Sequence, residues 1–374
     1  MSQMNFQLTI LLIIYFTSVY GLHSNLSFHD DKLVRKIING EYVNDMDEYQ
    51  YVVRMDIVSE SAENVVTKRK EHRFIAADRC TGVIFSSKLI LTTAHCIKLI
   101  DRNPQSPERF DRLTTNELKI FIRDESLKDK PFKISLAQPG GEATGLVHPS
   151  YQKCLDSFRI DYPDSFRQCV LNAVDVGLIR FASFRYSELE EHMSKHQLCM
   201  AGTENTANCP CKYMNWGNSG EYVVTGYGQV QLPSHAAIEE SKDVEKATAY
   251  IDKMKKLSIH STPQRRNLQG ETFNGEFKGP CSTGSPFEGD SGAPLLKYHE
   301  STKQWYGVGV VIKGTIDRCD SVCRPGPTPK PILRPVHMQG TLPDCQRCRD
   351  DWCEIVFVDL QAYNKWLKEE RRKN

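Results

Sequence analysis

Apolar residues along this chain fall in short runs bounded by Gly, Pro, Asn or charge. Gly82-Val83-Ile84-Phe85, Lys88-Leu89-Ile90-Leu91, Val176-Gly177-Leu178-Ile179, Tyr222-Val223-Val224-Thr225 and the run from Val308 to Ile312 are rich in β-branched residues. Each predicts a buried strand. A helical stripe stands out at the C-terminal end, where Leu360, Tyr363, Trp366 and Leu367 recur at i, i+3, i+6 and i+7 ahead of a polar tail from Lys368 to Asn374. The pattern therefore predicts an all-β protein closed by one helix at about 360–370. No internal repeat is present, and the proline-rich stretch Arg324 to Pro331 reads as a loop.

Composition narrows the classes. The chain has 374 residues, 40% apolar and 25% charged, which suits a folded protein with a substantial core rather than a disordered one. Lys and Arg number 48 against 47 Asp and Glu, a net charge of +1, so no phosphate-scale excess of positive charge points to nucleic acid. Leu8 to Tyr20 is an uncharged, mostly apolar run ending at Val19-Tyr20-Gly21. It reads as a signal peptide over residues 1–21, being short for a bilayer span. The expectation is a secreted, extracellular protein without a membrane span in its mature form. Its thiols would mature under oxidising conditions and mostly pair. Thirteen Cys is an odd count, so one is free or pairs outside the chain.

Candidate chemistry sits in three places. Leu91-Thr92-Thr93-Ala94-His95-Cys96 ends a strand on a histidine. Gly289-Asp290-Ser291-Gly292-Ala293-Pro294 sets a serine between glycines, where the backbone can turn tightly and present N–H groups to an oxyanion. Asp175 heads the apolar run Val176 to Ile179. Singly, each has a plain structural reading as a strand histidine, a turn or a strand-start cap. Together, His then Asp then Ser is a known chain order of a serine triad.

With these motifs the chain resembles the trypsin/chymotrypsin-like serine peptidases over most of residues 37–374, as a divergent member with long insertions. Ile37-Ile38-Asn39-Gly40 resembles the family's mature N-terminus, Thr93 to Cys96 its histidine motif, Asp175 to Ile179 its aspartate motif and Gly289 to Pro294 its serine motif. The resemblance implies two packed six-stranded antiparallel β-barrels, at about 37–200 and 215–358, with a cleft between them. It implies His95 as general base, Asp175 as its orienting partner, Ser291 as nucleophile and the Gly289 and Ser291 N–H groups as oxyanion hole. It also implies a Cys80–Cys96 disulfide. Residues 22–36 read as an activation leader. Cleavage after Lys36, in the dibasic Arg35-Lys36, would free an Ile37 ammonium to pair with Asp290.

Departures from the family pattern matter as well. Ser285, and not an acid, stands six residues before the nucleophile, which implies a chymotrypsin- or elastase-like specificity pocket with no charge at its base; Glu288 and Gly314 are its other candidate residues. Ile312-Lys313 replaces the family's Ser-Trp, removing a hydroxyl donor from Asp175 if that register holds, and Ala293 replaces a glycine. Two family positions that pair as cystines are Tyr222 and Lys297 here, lost together. Cys154 and Cys169 could close a loop. The spacing Cys345-Gln346-Arg347-Cys348 reads as disulfide chemistry ahead of zinc, and no metal or cofactor is expected. Lys68 to Arg73 reads as a solvated loop ahead of a basic exosite. The sequon Asn25-Leu26-Ser27 lies in the leader.

The sequence thus predicts a secreted serine endopeptidase made as a zymogen, with protein or peptide substrates, an activating protease and inhibitors as partners. The alternative is a catalytically weak or inactive serine-protease homologue acting as a binding or regulatory protein. A lipase with the same triad would need a nucleophile elbow and the order Ser, Asp, His, and the chain has neither.

Overall fold

A computed structural model describes residues 41–45, 47–74, 79–103, 106–127, 130–136, 141–159, 169, 174–200, 221–228, 254–259, 264–268, 272–280, 289–300, 302–317 and 352–373. The described chain opens with β1 (Glu41–Tyr42). A first sheet is then built from β2 (Val52–Asn64), β3 (Lys70–Phe74), β4 (Arg79–Ser86), β5 (Leu89–Thr92), β6 (Lys98–Asn103), β7 (Ser106–Phe121), β8 (Phe132–Ser135), β9 (Ala143–Val147) and β10 (Gly177–Phe181). A second follows from β11 (Tyr222–Gly226), β12 (Lys255–Ile259), β13 (Gln264–Leu268), β14 (Thr272–Pro280), β15 (Pro294–His299), β16 (Gln304–Asp317) and β17 (Trp352–Asp359). β1 joins the second sheet by pairing with β12.

The first sheet runs β6-β7-β2-β4-β5-β10-β9, with β3 on β2 and β8 on β7; the second runs β1-β12-β11-β15-β16-β17-β14-β13. Both are antiparallel, as expected. They hold nine and eight strands rather than six each. In the first sheet the surplus comes from chain that adds strands beside long neighbours, with β3 and β6 flanking the outer halves of β2 and β7.

Burial explains why the strands read as continuous apolar runs. Ile84, Ile90, Ile120, Phe132 and Ile179 close a core inside the first sheet, and Tyr222, Val224, Leu295, Val308 and Phe357 one inside the second. The alternate residues Val83, Leu91, Leu178, Val223, Leu296, Val310 and Val358 form a third core where the two sheets meet. A strand covered on both faces needs apolar residues on both, at about 1.5–3 kcal/mol for each fully buried side chain.

Three helices occur among the described residues: α1 (Pro149–Asp156), α2 (Ser187–Lys195) and α3 (Asn364–Arg372). α3 is the expected closing helix, starting at Asn364 because the Gln361 N–H bonds Asp359 Oδ1 at 2.9 Å and holds a turn there. It extends through the polar tail as far as Arg372, where Glu370 pairs with Arg180 of β10. α1 and α2 were not expected. α1 starts on Pro149, with His148 Nδ1 accepting the Ser150 N–H, while α2 carries Glu188 and Glu190 in its first turn and Lys195 in its last. Among the described residues, no helix is long and apolar enough to cross a membrane.

Cys80–Cys96 and Cys154–Cys169 are bonded, as the sequence suggested. Cys199 is also disulfide-bonded. Tyr222 and Lys297 face each other directly across β11 and β15, and Lys297 Nζ lies 5.2 Å from the centroid of the Tyr222 ring. A cation–π pair therefore occupies the place of the missing cystine.

Candidate active site

The histidine is delivered by a buried strand. Leu89 to Thr92 of β5 are fully covered, Thr93 is extended, and a one-turn 3-10 helix from Ala94 to Cys96 then brings the His95 side chain out of the core while Ala94 and Cys96 stay buried. β10 runs tightly beneath this turn. A Cβ at Gly177 would stand 2.7 Å from Ile97 Cδ1 and 2.9 Å from the Thr93 carbonyl oxygen, so glycine lets the strand approach. Asp175 lies two residues ahead of the first residue of β10, within hydrogen-bond reach of His95.

Asp175 holds His95 at two points. The His95 backbone N–H donates to Oδ1 at 3.0 Å, and Nδ1 lies 2.7 Å from Oδ2. The aspartate side chain is 2% exposed and the histidine 26%, so the pair has one dry end and one wet end. Burial pushes the imidazole pKa down, but the Asp175 charge and hydrogen bond outweigh it, leaving the value raised above 6.5. With Nδ1 committed to the carboxylate, Nε2 is the nitrogen left to take a proton from a substrate-side group.

The serine arrives from the second sheet on a turn between two left-handed glycines, Gly289 at φ 91° and Gly292 at φ 90°. Hydrogen bonds join that turn to both sheets. Thr81 N–H donates to the Ser291 carbonyl at 2.8 Å, Gly292 N–H to the Val311 carbonyl at 2.9 Å, and Thr81 Oγ1–H to the Gly289 carbonyl at 3.0 Å. Cys80 precedes Thr81 and is bridged to Cys96, whose Sγ lies 3.9 Å from the Ser291 carbonyl oxygen. Ser291 and His95 are therefore anchored to the same disulfide from opposite sheets. The Ser291 hydroxyl points at the Ile312 carbonyl, 3.5 Å away, a weak contact that a rotation about Cα–Cβ breaks.

Asp290 is fully buried, and its Oδ1 accepts the Gly228 N–H at 2.7 Å. A Cβ at Gly226 or Gly228 would run into its carboxylate. Gly314 lies in β16 opposite Ile355. Lys36, Ile37, Ser285 and Glu288 fall outside the described residues. Among the described residues Asp175 is hydrogen-bonded by His95 alone, in keeping with Ile312 standing where the family has a hydroxyl donor. Sequence reading missed Thr81 and Thr92, whose Oγ1 donates to the Thr81 carbonyl at 2.9 Å, and which together tie the serine turn to the first sheet. Their signal was a hydroxyl in a position of zero exposure within an apolar strand. No group of three or more His, Cys, Asp or Glu among the described residues could hold a metal ion.

No family model matches the chain. It is 24% identical over 250 residues to the phenoloxidase-activating enzyme of Bombyx mori, a match covering 66% of this chain and 50% of that protein. It is 30% identical over 84 residues to serine protease gd of Drosophila melanogaster, covering 22% of this chain and 14% of that one. The chain thus spans half the length, or less, of these curated relatives. Motifs, fold and relatives together relate it to the trypsin-like serine peptidases.

Proposed function

We propose that this chain is a secreted serine endopeptidase, made as a zymogen, that cuts protein substrates through an acyl-enzyme. The carrying observation is the two-point grip of Asp175 on His95 beside a serine turn sewn to the same disulfide. Ser291 Oγ attacks the scissile carbonyl carbon while His95 Nε2 takes its proton. Asp175 keeps Nδ1 protonated and stabilises the imidazolium. The Gly289 and Ser291 N–H groups hold the tetrahedral oxyanion. Collapse breaks the C–N bond as Nε2 returns the proton to the leaving amine, and water repeats the cycle to release the acid.

Activation follows cleavage after Lys36, when the Ile37 ammonium pairs with Asp290; the support is the place of that carboxylate, fully buried beside the nucleophile and against Gly226 and Gly228, where an added ammonium would order the serine turn. The uncharged Ser285 favours an uncharged side chain before the scissile bond. The Bombyx mori relative is named for activating another protein, and limited cleavage of a protein substrate is the reading extended to this chain.

Hydrolysis of a short peptide amide by the chain processed after Lys36, compared with Ser291→Ala and His95→Ala, tests the proposal. Each variant is expected to lose roughly 10⁴-fold or more in kcat while folding normally. Hydrolysis by Ser291→Ala at the parental rate would refute the assignment.

A further inference from the structure

Insertions from three parts of the first sheet meet beside His95 in a small core of their own. Ala94, Ile100, Tyr151, Leu155 and Phe158 are buried together, with Val65 and Phe110 packed against them. Hydrogen bonds cross between the parts: Val65 N–H to the Phe110 carbonyl at 3.1 Å, Arg112 to the Leu155 carbonyl at 2.8 Å and Tyr151 O–H to the Lys98 carbonyl at 2.9 Å. This platform abuts the histidine turn, since Ala94, buried within it, directly precedes His95.

Its outermost point is the turn between β2 and β3. Asn64 Oδ1 accepts the Val66 and Thr67 N–H groups at 3.0 and 2.7 Å, and Lys68 N–H bonds the Asn64 carbonyl at 2.9 Å. The turn is therefore fixed, with Lys68 at φ 58°. It exposes Val66 at 67%, the one exposed large hydrophobic residue among those described. Beside it the Lys68, Arg69 and Lys70 side chains are 59%, 79% and 74% exposed. The register fixes the reach. Thr115 N–H bonds the Ile97 carbonyl, and Asp111 pairs with Asn64. Four residues of strand, on the order of 13 Å, thus separate the base of the tip from the histidine turn.

Local carboxylates do not neutralise the tip. Lys68 and Lys70 share Glu63 at 4.0 and 3.8 Å, while Arg69 shares Glu71 at 3.8 Å with Arg109 at 3.3 Å. Such long, exposed pairs hold their side chains weakly, so the cations can turn to an outside anion.

We propose that the Val66, Lys68, Arg69 and Lys70 tip is an exosite that docks an acidic, partly apolar segment of a polypeptide substrate beside the cleft. This rests on the endopeptidase reading. Val66 among the cations favours a polypeptide over a sulfated glycan, which offers it no apolar group, and the tip's place on the order of 13 Å along the strand from the histidine turn favours a polypeptide held at that turn over an anionic membrane.

The test uses the full chain processed after Lys36, inactivated by Ser291→Ala, and a fluorescein-labelled peptide of alternating Glu and Leu read by fluorescence anisotropy. Reversing the charges with Lys68→Glu, Arg69→Glu and Lys70→Glu together is expected to weaken binding roughly tenfold or more, and Val66→Ser to weaken it several-fold. The parent's affinity is expected to fall as salt rises. In chains that keep Ser291, the charge reversal leaves hydrolysis of a short uncharged peptide amide unchanged, which also shows that the variant folds. Equal binding by the reversed and parental chains overturns the proposal. So does tighter binding of heparin or of phosphatidylserine vesicles than of the peptide, if the reversal abolishes it. Absence of hydrolysis by the processed parent counts against the endopeptidase reading alone, because the binding readout does not need it.

Discussion

In the proposed mechanism the charge on Asp175 decides when His95 can act. Only the neutral imidazole accepts the serine proton, and Asp175 raises its pKa above 6.5 despite burial, so kcat/KM is expected to rise with pH through a midpoint above that value. Asp175→Asn removes the charge. It is expected to move the midpoint down and cut kcat by roughly 10⁴-fold through the wrong tautomer. The same raised pKa carries a stability sign: the imidazolium–Asp175 contact stabilises the fold fully below the unfolded histidine pKa and is lost as pH rises through the folded one. A pH–rate profile with its acid midpoint below 6.5 contradicts this account. At Gly292 the left-handed backbone and a Cβ that would clash with the Thr81 carbonyl both exclude a side chain. Gly292→Ala is expected to cost at least about 1–3 kcal/mol from backbone strain alone, read as a lower Tm and a smaller titratable active fraction. Unchanged values of both would show that the serine turn tolerates a side chain.

Between elements, the sharpest check is the pair that replaces a cystine. Tyr222 and Lys297 are cross-strand partners on β11 and β15, so Tyr222→Cys with Lys297→Cys is expected to oxidise to a disulfide without moving either strand. Thiol titration of the folded double variant reads this directly, and two persistently free thiols would show the register to be wrong. Much of this level was legible in the sequence, because strands buried on both faces leave unbroken apolar runs such as Lys88 to Leu91. The outer half of β2, Ser59 to Asn64, was not legible: it leaves the barrel, pairs with β3 and β7, and carries charge and small polar residues where a core strand has Val or Ile. α1 and α2 escaped because each buries only three residues, too few to print a helical stripe. His95, Asp175 and Ser291 were singled out through motifs. Thr81 was not, since its partner Gly289 lies 208 residues away and no local pattern records such a contact.

Across the whole molecule, the two sheets share one apolar interface, and the serine turn is hydrogen-bonded to both. The proposed activation, in which the Ile37 ammonium completes the site, predicts that the chain locked by Arg35→Gln with Lys36→Gln folds but hydrolyses peptides at least about 10²-fold more slowly than the processed form, the scale of losing an oxyanion-hole donor. N-terminal sequencing of the active species alongside that assay checks it; an active form beginning elsewhere than Ile37, or full activity in the locked chain, contradicts the activation mechanism. The central claim is that Ser291 is a nucleophile activated by His95. The most direct measurement is labelling of the processed chain with a fluorophosphonate, followed by mass mapping of the modified peptide, because an unactivated serine does not react. The predicted result is one label, on Ser291, lost in both His95→Ala and Ser291→Ala. An unlabelled parent, or a label that maps elsewhere and survives Ser291→Ala, would contradict it.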